Sequence, residues 1–204
     1  MSKRGTTEVK ILESAQFVFH HKGYDGARMQ EIADKAEINK GLLHYYYKSK
    51  EKLFSTVFNF ALKQMLEKLN EALIEDNDLF TKIERLVDNY ITVLSKNIFI
   101  PNFVFQEINR NPEFFNKNFK TLNELKGIGK FEKQIEAEIK NGNIINIDSK
   151  QLLINIISLS IFPFIAKPMV KGILSISEKE FNNIIEERKK EVAEFTINSI
   201  KKVA

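Results

Sequence analysis

The sequence predicts an all-α protein, and three observations carry that expectation. Apolar residues recur every three or four positions along nearly the whole chain, the spacing of one helix face, and no period-two alternation bounded by hairpin turns is present. Asn, Asp, Ser and Pro stand repeatedly just ahead of these stretches and Gly just behind them, which are start and stop signals of helices. The composition is that of a folded chain, 43% hydrophobic and 28% charged, enough apolar surface for a core of one large or two small domains.

The elements follow in order. A first helix from about Thr7 to Lys22 places Ile11, Ala15, Val18 and Phe19 on one face, widened by Leu12, and Gly23 can take the left-handed backbone that ends it. A short helix from about Arg28 to Ala36 buries Ile32, Ala33 and Ala36. After a tight connection a third begins near Asn39, a good N-cap, and continues its inward face with Leu43, Tyr46 and Tyr47. Ser49 caps a long helix from Lys50 to about Ile74, with Leu53, Val57, Phe60, Ala61, Gln64 and Leu69 along its inner side.

Beyond it, Asn77-Asp78 precedes a helix reaching about Asn97, and Pro101 opens a short one reaching about Asn109. Asn111-Pro112 starts a long helix by the N-cap and N1 preference; its apolar positions run from Phe115 to Ile139, and Asn141-Gly142 stops it. Two further helices carry start signals shaped like a capping box, Asp148 with Gln151 and Ser177 with Glu180. The first of them, Leu152 to Ile165, is apolar nearly all round and needs cover on several sides, from its own domain or from a second copy of the chain.

Several function classes are excluded. With no Cys there is no disulfide, thiolate metal site or Cys nucleophile. The three His residues include the adjacent pair His20-His21, which point to different sides of a helix, so no metal site is expected. Phosphate-loop, zinc-protease and nucleophile-elbow motifs are absent, no catalytic constellation is found, and neither enzyme activity nor a cofactor is expected. The N-terminus lacks a secretory h-region and the apolar run 152–166 is too short to span a bilayer, so the expected location is cytoplasmic, away from any membrane.

Charge points elsewhere. The net charge is +4 and the pI is near 9.0. Nine basic against six acidic side chains occupy the first fifty residues. Two short helices joined by about three residues, the second opening on small and basic residues, describe a helix-turn-helix at about 27–46 whose second helix enters the major groove. Lys40 can reach guanine O6 and N7 or a phosphate, Gly41 permits close backbone approach, and Leu42 can meet a thymine methyl. Tyr45, Tyr46, Lys48 and Lys50 lie where phosphate contacts would position the helix, and Gln30 can add a base contact.

The stretch from Gly23-Tyr24 through Arg28-Met29-Gln30-Glu31-Ile32-Ala33 and Asn39-Lys40-Gly41-Leu42-Leu43-His44-Tyr45-Tyr46-Tyr47 to Leu53 resembles the DNA-binding domain of TetR-family regulators, as does Ile11-Leu12-Glu13-Ser14-Ala15 ahead of it. The resemblance covers about residues 7–60. It implies a three-helix DNA-binding domain over 4–64 and a helical ligand-binding and dimerisation domain over 65–204. It also implies a homodimer bound to a pseudo-palindromic operator in double-stranded DNA, probed by a small molecule of unknown identity. The DNA contacts so implied are Arg28, Gln30, Asn39, Lys40, Gly41, Leu42, His44, Tyr45, Tyr46, Lys48 and Lys50.

The chain departs from the family's pattern in three places. Ala27-Arg28 replaces the usual hydroxyl at the entry to the second helix, leaving Arg28 or Asp25 to substitute. Glu37 stands where the turn commonly has Gly, and His44 sits two positions from the usual imidazole. For the effector, abundant Phe and a few polar groups nominate Phe99, Phe103, Gln106, Phe119, Asn123 and Asn155 as pocket residues, Asn109 being a further polar candidate. The expected function is a transcriptional repressor released from its operator by an apolar or amphipathic ligand; the alternative is an apolar-ligand carrier that does not use its DNA-binding motif.

Overall fold

A computed structural model describes residues 3–96, 99–113 and 126–202. Its described residues form ten helices: α1 (Lys3–Gly26), α2 (Met29–Lys35), α3 (Lys40–Tyr46), α4 (Lys50–Ile74), α5 (Leu79–Lys96), α6 (Phe99–Arg110), α7 (Lys126–Lys140), α8 (Ser149–Ile165), α9 (Lys167–Leu174) and α10 (Glu178–Ile200). The all-α class is as the sequence predicts. The one bridge between extended residues, Ile144 with Lys201, ties the end of α10 to the loop after α7, helped by the Ile145 amide donating to the Ile200 carbonyl at 2.8 Å.

Helix ends follow the side chains that can satisfy orphan amides. Asn39 accepts from the Leu42 amide and Ser49 from the Lys52 amide. Asp78 accepts from the amides of Phe80 and Thr81, and Asp148 from those of Lys150 and Gln151. Ser177 and Glu180 form the full reciprocal capping box. At the other end of α7, Gly142 takes φ 77, and the Asn143 amide returns to the Glu138 carbonyl at 3.0 Å, closing the helix as the Asn-Gly pair requires.

Four expectations need correction. α1 breaks at Gly23 (φ 65, ψ −179) but resumes helical geometry to Gly26. α6 begins at Phe99, two residues before Pro101, because a proline within the first turn gives up no intrahelical bond. Phe60 is exposed on α4; the inner stripe runs Leu53, Val57, Ala61, Met65 and Leu69, flanked by Phe54, Phe58 and Leu62, and Phe60 falls outside it. Finally, α9 has no counterpart in the sequence reading: the chain turns by 78° after α8 and makes two further turns before Ser175, at φ 53, ends them. The helix expected from Pro112 is helical at Pro112 and Glu113, and its continuation over 114–125 lies outside the described residues.

One continuous apolar core links the helices. α4 packs on α5 and α7, α10 packs on α5 and α8, and α6 touches α1, α4 and α8. Three buried polar side chains are satisfied by carbonyls: the hydroxyls of Ser160 and Thr196 donate back one turn to those of Ile156 and Val192, and the Lys82 ammonium donates to that of Leu73. Among the described residues no single helix is long and apolar enough to cross a membrane.

Candidate nucleic-acid interface

The site is built on α2, the turn after it, and α3. Ile32, Ala33 and Leu43 are buried, with α2 packed on α1 and on α3, and the amides of Ala36, Glu37 and Ile38 all fold back onto carbonyls of α2, holding the turn tight. That geometry forces Glu37 to φ 55, a conformation costing a non-glycine residue on the order of 1 kcal/mol. The turn is therefore the shape glycine would give, made by a residue that prefers otherwise. Glu37 is tied by the Lys10 ammonium of α1 at 2.8 Å, whose hydrogen bond also holds its carboxyl below the usual carboxylate range.

Entry to α2 has no side-chain cap. Arg28 stands extended at φ −117, ψ 137 without capping its helix, and Asp25 is engaged elsewhere by Arg110. Entry to α3 is capped, the Asn39 Oδ1 accepting from the Leu42 amide at 2.7 Å. Gly41 serves that cap in a way the sequence reading missed: a Cβ there would lie 3.2 Å from the cap oxygen, so its smallness protects the helix start as well as opening the surface.

The faces of α3 separate cleanly. Leu43 and the following Tyr47 are buried, and Tyr46 packs half-buried against the core. Tyr47 directs its hydroxyl toward Glu8; burial first and the Glu8 charge second push its pKa up to about 12. Lys40, Gly41, Leu42, His44, Tyr45 and Lys48 are exposed. Leu42 at 37% and Tyr45 at 68% exposure present apolar surface to solvent on the outward side of α3.

The basic residues divide in the same way. Lys10 and Lys22 are spent on Glu37 and Glu31, Lys35 caps the ring of Phe17 at 3.6 Å, and Lys50 donates to the Asp25 carbonyl while lying 4.7 Å above the Tyr24 ring. Gln30 is likewise held by Asp34 at 2.8 Å. Exposed Lys40 and Lys48, by contrast, flank α3 and make no ion pair among the described residues.

Of the nominated pocket residues, those whose side chains the structure describes do not line one cavity. Phe103 is buried, edge-on to Phe54 and Phe58 at 5.6 and 6.1 Å between ring centres. Gln106, Asn109 and Asn155 are exposed, because α6 and α8 turn other faces inward. Phe119 and Asn123 lie outside the described residues, as does the side chain of Phe99. A cavity of about 330 Å³ opens instead between the end of α5 and the start of α10, lined by Ser95, Phe164, Lys167, Phe181 and Asn182 among others. No motif in the sequence points to it. Among the described residues no group of three or more His, Asp or Glu side chains is arranged to hold a metal.

Comparison with known proteins agrees with this geometry. The family described as bacterial regulatory proteins, tetR family, matches residues 11–57. An uncharacterised HTH-type transcriptional regulator of Bacillus subtilis, YhgD, is 38% identical over 63 residues, 31% of this chain and 33% of the relative. An HTH-type transcriptional repressor of Streptomyces coelicolor is 35% identical over 82 residues, 40% of this chain and 41% of the relative. The chain thus spans between a third and two fifths of the length of these relatives. Among solved structures, the Bacillus subtilis transcriptional regulator FadR in complex with stearoyl-CoA superimposes with a TM-score of 0.67 at 16% identity, covering 94% of this chain and 98% of that one, a likeness of fold. With a tight helix-turn-helix over the matched residues, an outward α3 and an all-helical body behind it, residues 11–57 carry the chain's similarity to the tetR family of bacterial regulatory proteins.

Proposed function

We propose that this chain is a sequence-specific, DNA-binding transcriptional repressor that acts in the cytoplasm as a homodimer on a pseudo-palindromic operator. The observation that carries the reading is the outward face of α3, where Leu42 and Tyr45 are exposed between Lys40 and Lys48, two cations without an ion-pair partner among the described residues. Lys40 and Leu42 read base edges, whereas Lys48, Tyr45 and Arg28 position the helix on phosphates. Lys50 contributes through its hold on Asp25 and Tyr24.

Residues 4–64 form the DNA-binding unit and 65–204 the ligand-binding and dimerisation unit, with α4 running through the boundary. The dimer is supported by exposed Ile154 and Phe162 on α8 and Phe195 on α10, large apolar side chains on the two helices that a second copy would cover. Two copies of α3 then stand about one DNA turn, roughly 34 Å, apart. A small apolar or amphipathic ligand that binds a conformer of different spacing lowers operator affinity by that preference alone. The stearoyl-CoA held by the fold neighbour is consistent with that ligand class.

The test is a gel-shift titration of Lys40→Ala and Lys48→Ala on specific and random DNA. Lys40→Ala is expected to lose about 1 to 3 kcal/mol on the specific site only. Lys48→Ala is expected to weaken both DNAs and lower the salt slope by about one. Equal losses on both DNAs for both variants would refute the division of roles.

A further inference from the structure

Two contacts join α6 to the first helices and the start of α4, Arg110 at the break in α1 and Phe103 against Phe54 of α4. Arg110, the last residue of α6, pairs with Asp25 across 85 residues of sequence. Its guanidinium also lies against Gly23, 3.8 Å from where a Cβ would stand. Asp25 in turn accepts at its carbonyl from the Lys50 ammonium at 3.2 Å, at the first residue of α4. Lys50 covers the Tyr24 ring at 4.7 Å, and Tyr24 meets Phe54 edge-on at 5.0 Å. Phe54 meets Phe103 of α6 at 5.6 Å. The loop closes on α6 at both ends, through Phe103 and through Arg110.

We infer that Arg110 is a positioning residue for DNA binding: by holding Asp25 it sets the angle at which α1 to α3, with the start of α4, sit on the helical body. The inference rests on the DNA-binding reading above and adds a residue to it that lies on a different helix from every DNA contact. Two features make the pair adjustable. The break at Gly23 places Asp25 on the short segment that leads from α1 into α2. The side chains of Arg110 and Asp25 are 49% and 74% exposed, so the pair is of the weak, salt-sensitive kind that biases an orientation without fixing the fold. The apolar contact through Phe103 keeps the two units joined when the pair opens. A side chain at Gly23 would be strained by its positive φ of 65.

The experiment uses the absence of native cysteine. The exposed pair Glu13→Cys on α1 and Glu187→Cys on α10 is spin-labelled in the full chain, diluted with unlabelled protein, and the intrachain distance distribution is read by pulsed dipolar spectroscopy with no DNA or ligand present. The expected result is one main distance in the parent chain. Arg110→Ala should shift about two- to fivefold more population into a second distance, Arg110→Lys should retain most of the parent distribution, and the swap Asp25→Arg with Arg110→Asp should restore it. At 1 M salt, where the screening length is about 3 Å, the parent should move toward Arg110→Ala while that variant stays put. An unchanged distribution in Arg110→Ala, with thermal melting confirming that it folds, would overturn the inference. So would a shift that the swap fails to reverse. Because this readout requires no operator, its failure is distinct from a failure of the chain to bind DNA.

Discussion

Glu37 carries the clearest conflict between a residue and the backbone it occupies. At φ 55 it pays on the order of 1 kcal/mol relative to a glycine, while its exposed pair with Lys10 returns at most a comparable amount. Replacing it with glycine removes the strain, but also removes the pair and adds unfolded-chain entropy of about 0.5 to 1 kcal/mol. Those effects nearly cancel. Glu37→Gly is therefore expected to unfold in urea within about 1 kcal/mol of the parent, whereas Glu37→Val, branched at Cβ where φ is positive, should lose about 1 to 3 kcal/mol. A large stabilisation by glycine would mean that the turn strain is greater than its geometry indicates. At this scale the sequence was informative about residue types and less so about their engagement. The turn position, the Asn39 cap and the outward Lys40 were legible, since each follows from local chemistry. That Lys50 and Gln30 face other partners was not, because Asp25, Tyr24 and Asp34 come within their reach only once the helices are packed.

Among the elements, the crossing of α4 and α7 is the tightest. A Cβ on Gly127 would lie 2.5 Å from the Leu73 Cβ and 3.1 Å from the Asn70 carbonyl oxygen, neither of which is a flexible chain end, and the Gly127 amide already donates to the Asn70 side chain at 2.9 Å. Gly129, two residues on, has nothing within 4 Å. The two glycines therefore predict opposite signs. Gly127→Ala should destabilise by about 1 to 3 kcal/mol through overpacking, and Gly129→Ala should stabilise by about 0.5 to 1 kcal/mol through helix propensity alone. Paired urea melts measure both, and a neutral Gly127→Ala would show that α7 can lift off α4 freely. Helix boundaries were largely readable because caps and stops are local, as at Ser49, Asp148 and Ser177. The short α9 was not, since Pro163 and Pro168 suggest a break, and what docks it is tertiary: ion pairs from Lys167 and Lys171 to Glu178 and the packing of Val170 on the core.

At the scale of the whole molecule, the body presents a structure whose purpose its own sequence leaves mostly unstated. The Phe-rich composition suggested a ligand chamber, yet Phe103 is committed to a junction of aromatic rings, and Gln106 and Asn155 face outward. A pocket is a property of how several helices are spaced, and periodicity constrains only which face of each turns inward. The apolar residues of α8 were legible as needing cover, and Ile154 and Phe162 remain exposed in the single chain. In the proposed dimer they are side chains that the second copy would cover. The most direct test of that account is selection of bound fragments from genomic DNA by the purified chain. Enrichment of an inverted repeat with half-sites about one helical turn apart, lost in Lys40→Ala, is the predicted result; fragments with no shared or repeated motif, recovered equally by both proteins, would contradict it.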